Sequence, residues 1–143
     1  MRKSAVFAAA GIALFCGIGA AQNKQAAPVD STRLIDSIQG PNLFKAYCAV
    51  CHGPNAKGDG PMSKSLKTAP SDLTRITSRN NGMFPVAKVR RIIAGEESLA
   101  SGHGTKEMPV WGDLFKHMGS SDPGVARLRI VNLTDYIKSI QAK

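Results

Sequence analysis

The sequence predicts an all-α protein, and three observations carry that prediction. Apolar residues recur at helical spacing in three stretches: Gly40, Leu43, Phe44 and Tyr47; Val86, Val89 and Ile93; and Ile130, Leu133, Ile137 and Ile140. Clusters of turn formers such as Gly53-Pro54 and Gly58-Asp59-Gly60-Pro61 separate them. No strand-like alternation of any length occurs in the 143 residues.

In chain order, residues 1–21 read as a signal peptide. Arg2 and Lys3 form a charged start, Ala5 to Gly19 is an apolar and small-residue run, and Gly19-Ala20-Ala21 places small residues before a cut ahead of Gln22. The run is short and poor in large apolar residues for a membrane span, with an uncleaved anchor as the alternative. Cys16 follows the bulky Phe15, which argues against a lipidation site. The mature chain is therefore expected outside the cytoplasm, in a periplasm or otherwise exported. Residues 22–39 read as an N-terminal extension: a small, polar tether, then a short helix capped by Asp30-Ser31 with Leu34, Ile35 and Ile38 on one face. Gly40-Pro41 ends that helix and opens the domain spanning 40–143, since proline is tolerated at a first helical position.

The helix that starts at Gly40 runs into Cys48-Ala49-Val50-Cys51-His52. A C-x-x-C-H run is the pattern for covalent attachment of a c-type haem: each thiol adds across a vinyl group, and the adjacent imidazole becomes the proximal iron ligand. A bare C-x-x-C also suits a redox dithiol or half of a zinc site. The dithiol would want a strand ahead of it, whereas the preceding residues have helical spacing, and zinc would want a second ligand pair. The remaining cysteine, Cys16, lies in the segment expected to be removed. With aromatics at only 6%, the core is thin, and a buried porphyrin would supply missing apolar surface.

The loop from Gly53 to Pro61 lacks phosphate-loop spacing and should turn the chain around the haem edge. A carbonyl in Ala69-Pro70-Ser71-Asp72-Leu73 is placed to accept the His52 Nδ1–H and fix the ring's tautomer. A helix follows from about Pro85 to Ala94, stopped by Gly95, with Lys88, Arg90 and Arg91 on its solvated side. The last helix starts near Pro123, capped by Ser121 or Asp122, and carries the fourfold isoleucine and leucine stripe with Tyr136 beside it.

This order of parts resembles a class I cytochrome c. The carriers are Gly40 and Phe44 ahead of the Cys48-to-His52 motif, the Met108-Pro109 pair, and Leu133 and Tyr136 on the final helix. The resemblance implies a cytochrome c fold in which the first and last helices cross near perpendicular around one covalently bound haem c. It also implies that Gly40 permits the close approach and that Phe44 and Tyr136 pack at the crossing. The run from Cys51 to Pro61 is similar to a bacterial subgroup with a Gly-Asp-Gly-Pro loop. Cys48 and Cys51 are then the thioether residues, with His52 and Met108 as the metal ligands.

Met108 is expected as the sixth ligand because a loop precedes it and Pro109 stiffens the turn after it. Met83 and His103 are the next candidates, ahead of Met62, Met118 and His117, for which packing or exposure is the plainer reading. Two filled axial positions predict an electron carrier and not an enzyme, with no small-molecule substrate. Trp111 is expected at the haem edge, near a propionate, or in ordinary packing.

The formal charge is +9, and loss of Arg2 and Lys3 with the signal peptide lowers it to +7. Two ionised propionates would bring the same count to about +5. Lys57, Lys64, Lys67, Lys106 and Lys116 flank segments expected near the haem edge, which suits redox protein partners with acidic docking surfaces. Export, and the lack of aromatics interleaved with basic residues, argue against nucleic acid. The alternative to a free carrier is a subunit of a membrane respiratory or dehydrogenase complex, with membrane association through that complex. A haem enzyme or gas sensor with a displaceable methionine is the third reading.

Overall fold

The computed structural model describes residues 37–97, 108–120 and 122–143. The expectations for the signal peptide, Cys16, the tether, the segment from Asp30 to Asp36, His103, Lys106 and Ser121 lie outside the described residues. Ser37 to Gln39 do not continue a helix: Gln39 is extended, with φ −81° and ψ 129°. Ile38 is therefore half-exposed instead of sharing a helical face.

Helix α1 covers residues 40–52 and is not the straight rod that its spacing predicts. Gly40–Leu43 is α-helical, Phe44–Cys48 forms a π turn, and Ala49–His52 returns to α geometry. The Ala49 N–H donates to the Phe44 carbonyl, five residues back, which marks a wide turn of the kind that often accompanies functional sites. The apolar stripe nevertheless stays inward, with Leu43, Phe44 and Cys48 buried and Tyr47 half-buried.

A short 3₁₀ turn at Leu73–Arg75 leads into α2, Ile76–Arg79, neither of which the periodicity predicts. Helix α3, Val86–Ala94, buries Val89 and Ile93 and stops at Gly95, whose φ of 80° is in the left-handed region that favours glycine. Helix α4, Trp111–Lys116, lies where the sequence shows only a short apolar run. The longest helix, α5, is Pro123–Ser139; the Asp122 carboxylate accepts from the Gly124 N–H at 2.7 Å, and Pro123 takes the first turn. Among the described residues every regular element is helical.

Helix α5 is the common support, since α1, α3 and α4 all pack on it. Gly40 sets the α1–α5 approach: a Cβ there would meet the Asn132 carbonyl and lie 2.7 Å from the Tyr136 Cβ. Beside that contact the Phe44 and Tyr136 rings pack at 5.4 Å between centroids, tilted by 55°. Asn132 also donates to the Ile38 carbonyl at 2.7 Å, fixing the chain's entry into α1. The buried α5 stripe is Ala126, Arg129, Leu133 and Ile137, with Ile130 and Ile140 partly buried beside it. Arg129 is the surprise in that stripe. Its guanidinium donates to the Met118 carbonyl at 2.7 Å and the Phe115 carbonyl at 3.4 Å, serving acceptors at the end of α4 that the helix itself leaves open.

Candidate haem-binding site

Helical geometry puts Cys48 and Cys51 on one side of α1, three residues apart, with His52 at the last position before the chain turns. A helix ending there leaves its last carbonyls without partners. The glycine-rich loop supplies them. Gly58 N–H donates to His52 O at 2.8 Å, Gly60 N–H to Cys51 O at 3.1 Å, and Met62 N–H to Val50 O at 2.9 Å. Gly60 is required for this fold-back: a Cβ there would lie 2.5–2.7 Å from the carbonyl oxygens of Ala49, Val50 and Cys51. The loop expected to turn the chain at the haem edge is thus also the C-terminal cap of the motif helix.

Gly58 packs so closely beneath Pro70 that a Cβ would meet the Pro70 carbonyl, and Leu73 N–H donates to Ala56 O at 2.7 Å. This seating brings the Ser71 carbonyl to 3.1 Å from His52 Nδ1. A carbonyl can only accept, so Nδ1 carries the proton and Nε2 keeps the lone pair that could bind a metal. Burial pulls the His52 pKa below its ordinary 6.5, which keeps the imidazole neutral and able to bind metal. The acceptor anticipated between Ala69 and Leu73 is therefore Ser71.

Cys48, Cys51 and His52 open onto a cavity of about 460 Å³. Its walls include Leu73 and Ile76 around α2, Val89 and Ile93 of α3, and Leu133 and Ile137 of α5. Met108 and Pro109 line the same space, as does Trp111. An apolar slot with two thiols, an oriented imidazole and a thioether at its boundary fits a covalently held porphyrin. The dithiol reading fits less well. Burial, with Cys51 adding to it, pushes the Cys48 thiol up to about 12, the reverse of the activated thiolate such chemistry needs. Among the described residues no three His, Cys, Asp or Glu side chains gather as a zinc site would require.

The family model for cytochrome c matches residues 37–141. The chain belongs to the cytochrome c family. It accordingly binds haem c covalently and is a haem-based electron carrier with the all-α cytochrome c fold. No curated protein and no solved structure matched the chain.

Within this cytochrome c fold, Met108 is the one methionine that lines the cavity among the described residues. Met83 is 72% exposed and Met62 46% exposed, and neither lines the cavity, while Met118 packs against the core. His117 is exposed after the end of α4. Trp111 sits both at the cavity and in an aromatic cluster, 5.6 Å from Tyr47 and 6.1 Å from Phe115 between ring centroids. Arg79, Asn80 and Lys88 also line the cavity, and nothing in the sequence assigns them a part there. Arg79 and Asn80 belong to the unpredicted α2 and its end, and Lys88 looked like one of three solvated cations on α3. Of the other two, Arg91 pairs with Glu97 at 2.9 Å and Arg90 with Asp135 at 3.7 Å.

Proposed function

We propose that this chain is an exported mono-haem cytochrome c, a one-electron carrier in which His52 and Met108 supply the two axial ligands. The observation that carries the reading is the placement of Cys48, Cys51, His52 and Met108 around one apolar cavity. Bound there, haem supplies a single one-electron couple. Cys48 and Cys51 would hold the group covalently, and His52, oriented by Ser71, would present Nε2 to it. Met108 offers a soft thioether, which favours ferrous iron and raises the reduction potential. With both positions filled the residues leave no site for a substrate, so the reading is a carrier and not an enzyme. The Gly58-Asp59-Gly60-Pro61 cap supports placement in the bacterial subgroup with that loop.

Lys57, Lys64 and Lys67 are exposed on the loop side of the site, and this supports docking to acidic redox proteins. Lys116 contributes less, because Asp113 lies 2.8 Å from its ammonium. Export rests on the character of residues 1–21. Met108→Ala tests the ligation: the weak far-red charge-transfer band of methionine-ligated ferric haem is expected to vanish and carbon monoxide to bind. A retained band, or ready carbon monoxide binding by the wild type, refutes it. Electron transfer to an acidic partner should slow as salt rises, and a flat profile would remove the lysine surface from the account.

A further inference from the structure

The His52–Ser71 hydrogen bond depends on where the strap of residues 71–79 sits, and the strap is tied to the far end of the chain. Gln141, just beyond α5, donates from Nε2 to the Leu73 carbonyl at 2.8 Å and accepts at Oε1 from the Thr77 N–H at 2.8 Å. The same Nε2 donates to Ile137 O at 2.8 Å, which fixes the amide on the end of α5. Next to it, Ala142 N–H donates to Thr74 O at 2.8 Å. The strap's own bonds, from the Thr74 N–H and hydroxyl to the Asp72 carboxylate and from Arg79 to the Asp72 carbonyl, hold its shape but do not place it in the fold. Its placement comes from Leu73 N–H on Ala56 O at one side and from Gln141 and Ala142 at the other.

We propose that Gln141 is a positioning residue for the proximal side of the site, holding the strap so that Ser71 O stays on His52 Nδ1–H. The inference rests on the reading of His52 as an axial ligand. The physical chain is short. Gln141 references Leu73 and Thr77 to α5, whose Leu133 and Ile137 wall the same cavity. Ser71 lies two residues before Leu73, with one end of that span seated on Gly58 and Ala56. A carbonyl held on Nδ1–H makes the imidazole a stronger donor and favours the ferric state; when the strap loosens, the ferrous state gains.

The test uses the holoprotein and Gln141→Leu, which keeps side-chain bulk and removes all three hydrogen bonds. The expected result is a raised reduction potential and exchange of the His52 Nδ1 proton faster by about tenfold, the scale of losing placement bonds, with the methionine band intact. Thr77 amide exchange should accelerate alongside it. A variant with faster Thr77 exchange but unchanged His52 proton and potential overturns the proposal and leaves the ligation reading standing. Absence of iron-coupled His52 signals in the wild type overturns both. If Gln141→Leu does not fold, the wild type decides: protection factors of Thr77 N–H and His52 Nδ1–H that agree within about a factor of three support a shared opening, and unrelated values overturn it.

Discussion

Gly40→Ala probes the contact on which the helix crossing depends. The new methyl would lie 2.7 Å from the Tyr136 Cβ and nearer still to the Asn132 carbonyl oxygen, whereas ordinary contacts begin at 3.4 Å. The nearest atom is α5 backbone, so the helices must separate by roughly 1 Å, enough to forfeit a quarter to a half of the dispersion well for the atoms facing each other. Leu43, Phe44, Leu133 and Ile137 are the buried side chains around this packing. Overpacking of this kind costs about 1–3 kcal/mol, and the backbone contact places it at the upper end. Replacing glycine by alanine returns at most ~1 kcal/mol through helix propensity and unfolded-state entropy. The net expectation is about 2 kcal/mol of destabilisation, or a Tm lower by roughly 10 °C for a domain of this size. Denaturant titration of the holoprotein by far-ultraviolet circular dichroism measures it. Tyr136→Ala keeps its Cβ and leaves the Asn132 carbonyl in place, so it should not rescue the double variant. A Gly40→Ala protein as stable as the wild type would refute the argument.

Gly60→Ala should be worse for the site than for the helices. It drives a methyl into three carbonyls and should cost about 2–3 kcal/mol while displacing the caps on Cys51 and His52, visible as lower haem incorporation per chain. Arg129→Leu removes the buried donor from the Phe115 carbonyl and one of two donors from the Met118 carbonyl, which keeps the Ser120 N–H, for a loss of about 1–3 kcal/mol in denaturant titration; a loss under about 0.5 kcal/mol would remove Arg129 as the α4 cap. Asp72 is held below its ordinary 3.8, first by the Thr74 hydroxyl. A depressed folded-state pKa contributes stability that is complete above the unfolded value and lost as pH falls through the folded one. Asp72→Asn should therefore flatten the stability profile below pH 3.8, modestly because the half-buried group still meets solvent; an equally steep variant profile would rule Asp72 out as a contributor.

The failures of sequence reading have specific causes. Helix α4 has only six residues and α2 four, too few to show a period, and packing on neighbours stabilises what their sequences do not announce. The π turn before Cys48 leaves the apolar stripe unchanged, so the pattern that predicts α1 cannot reveal it. Arg129 occupies a core position of α5 but looks like an exposed cation until the end of α4 is placed against it. Gln141 carries no signal, since the strap residues it bonds lie 64 and 68 residues away.

The sequence by itself determined what is local and covalent. Cys48, Cys51 and His52 are adjacent in the chain, so their chemistry is readable without a fold, and the stripes of α1, α3 and α5 follow from the helical period. Gly40 and Phe44 were legible through resemblance, and the structure places them at the crossing with α5. Tertiary structure alone decided which carbonyl orients His52, which methionine borders the cavity, and what caps the motif helix. These depend on backbone atoms and on long-range closure. A carbonyl is the same in every residue, and only the folded path of the chain brings Ser71 to His52.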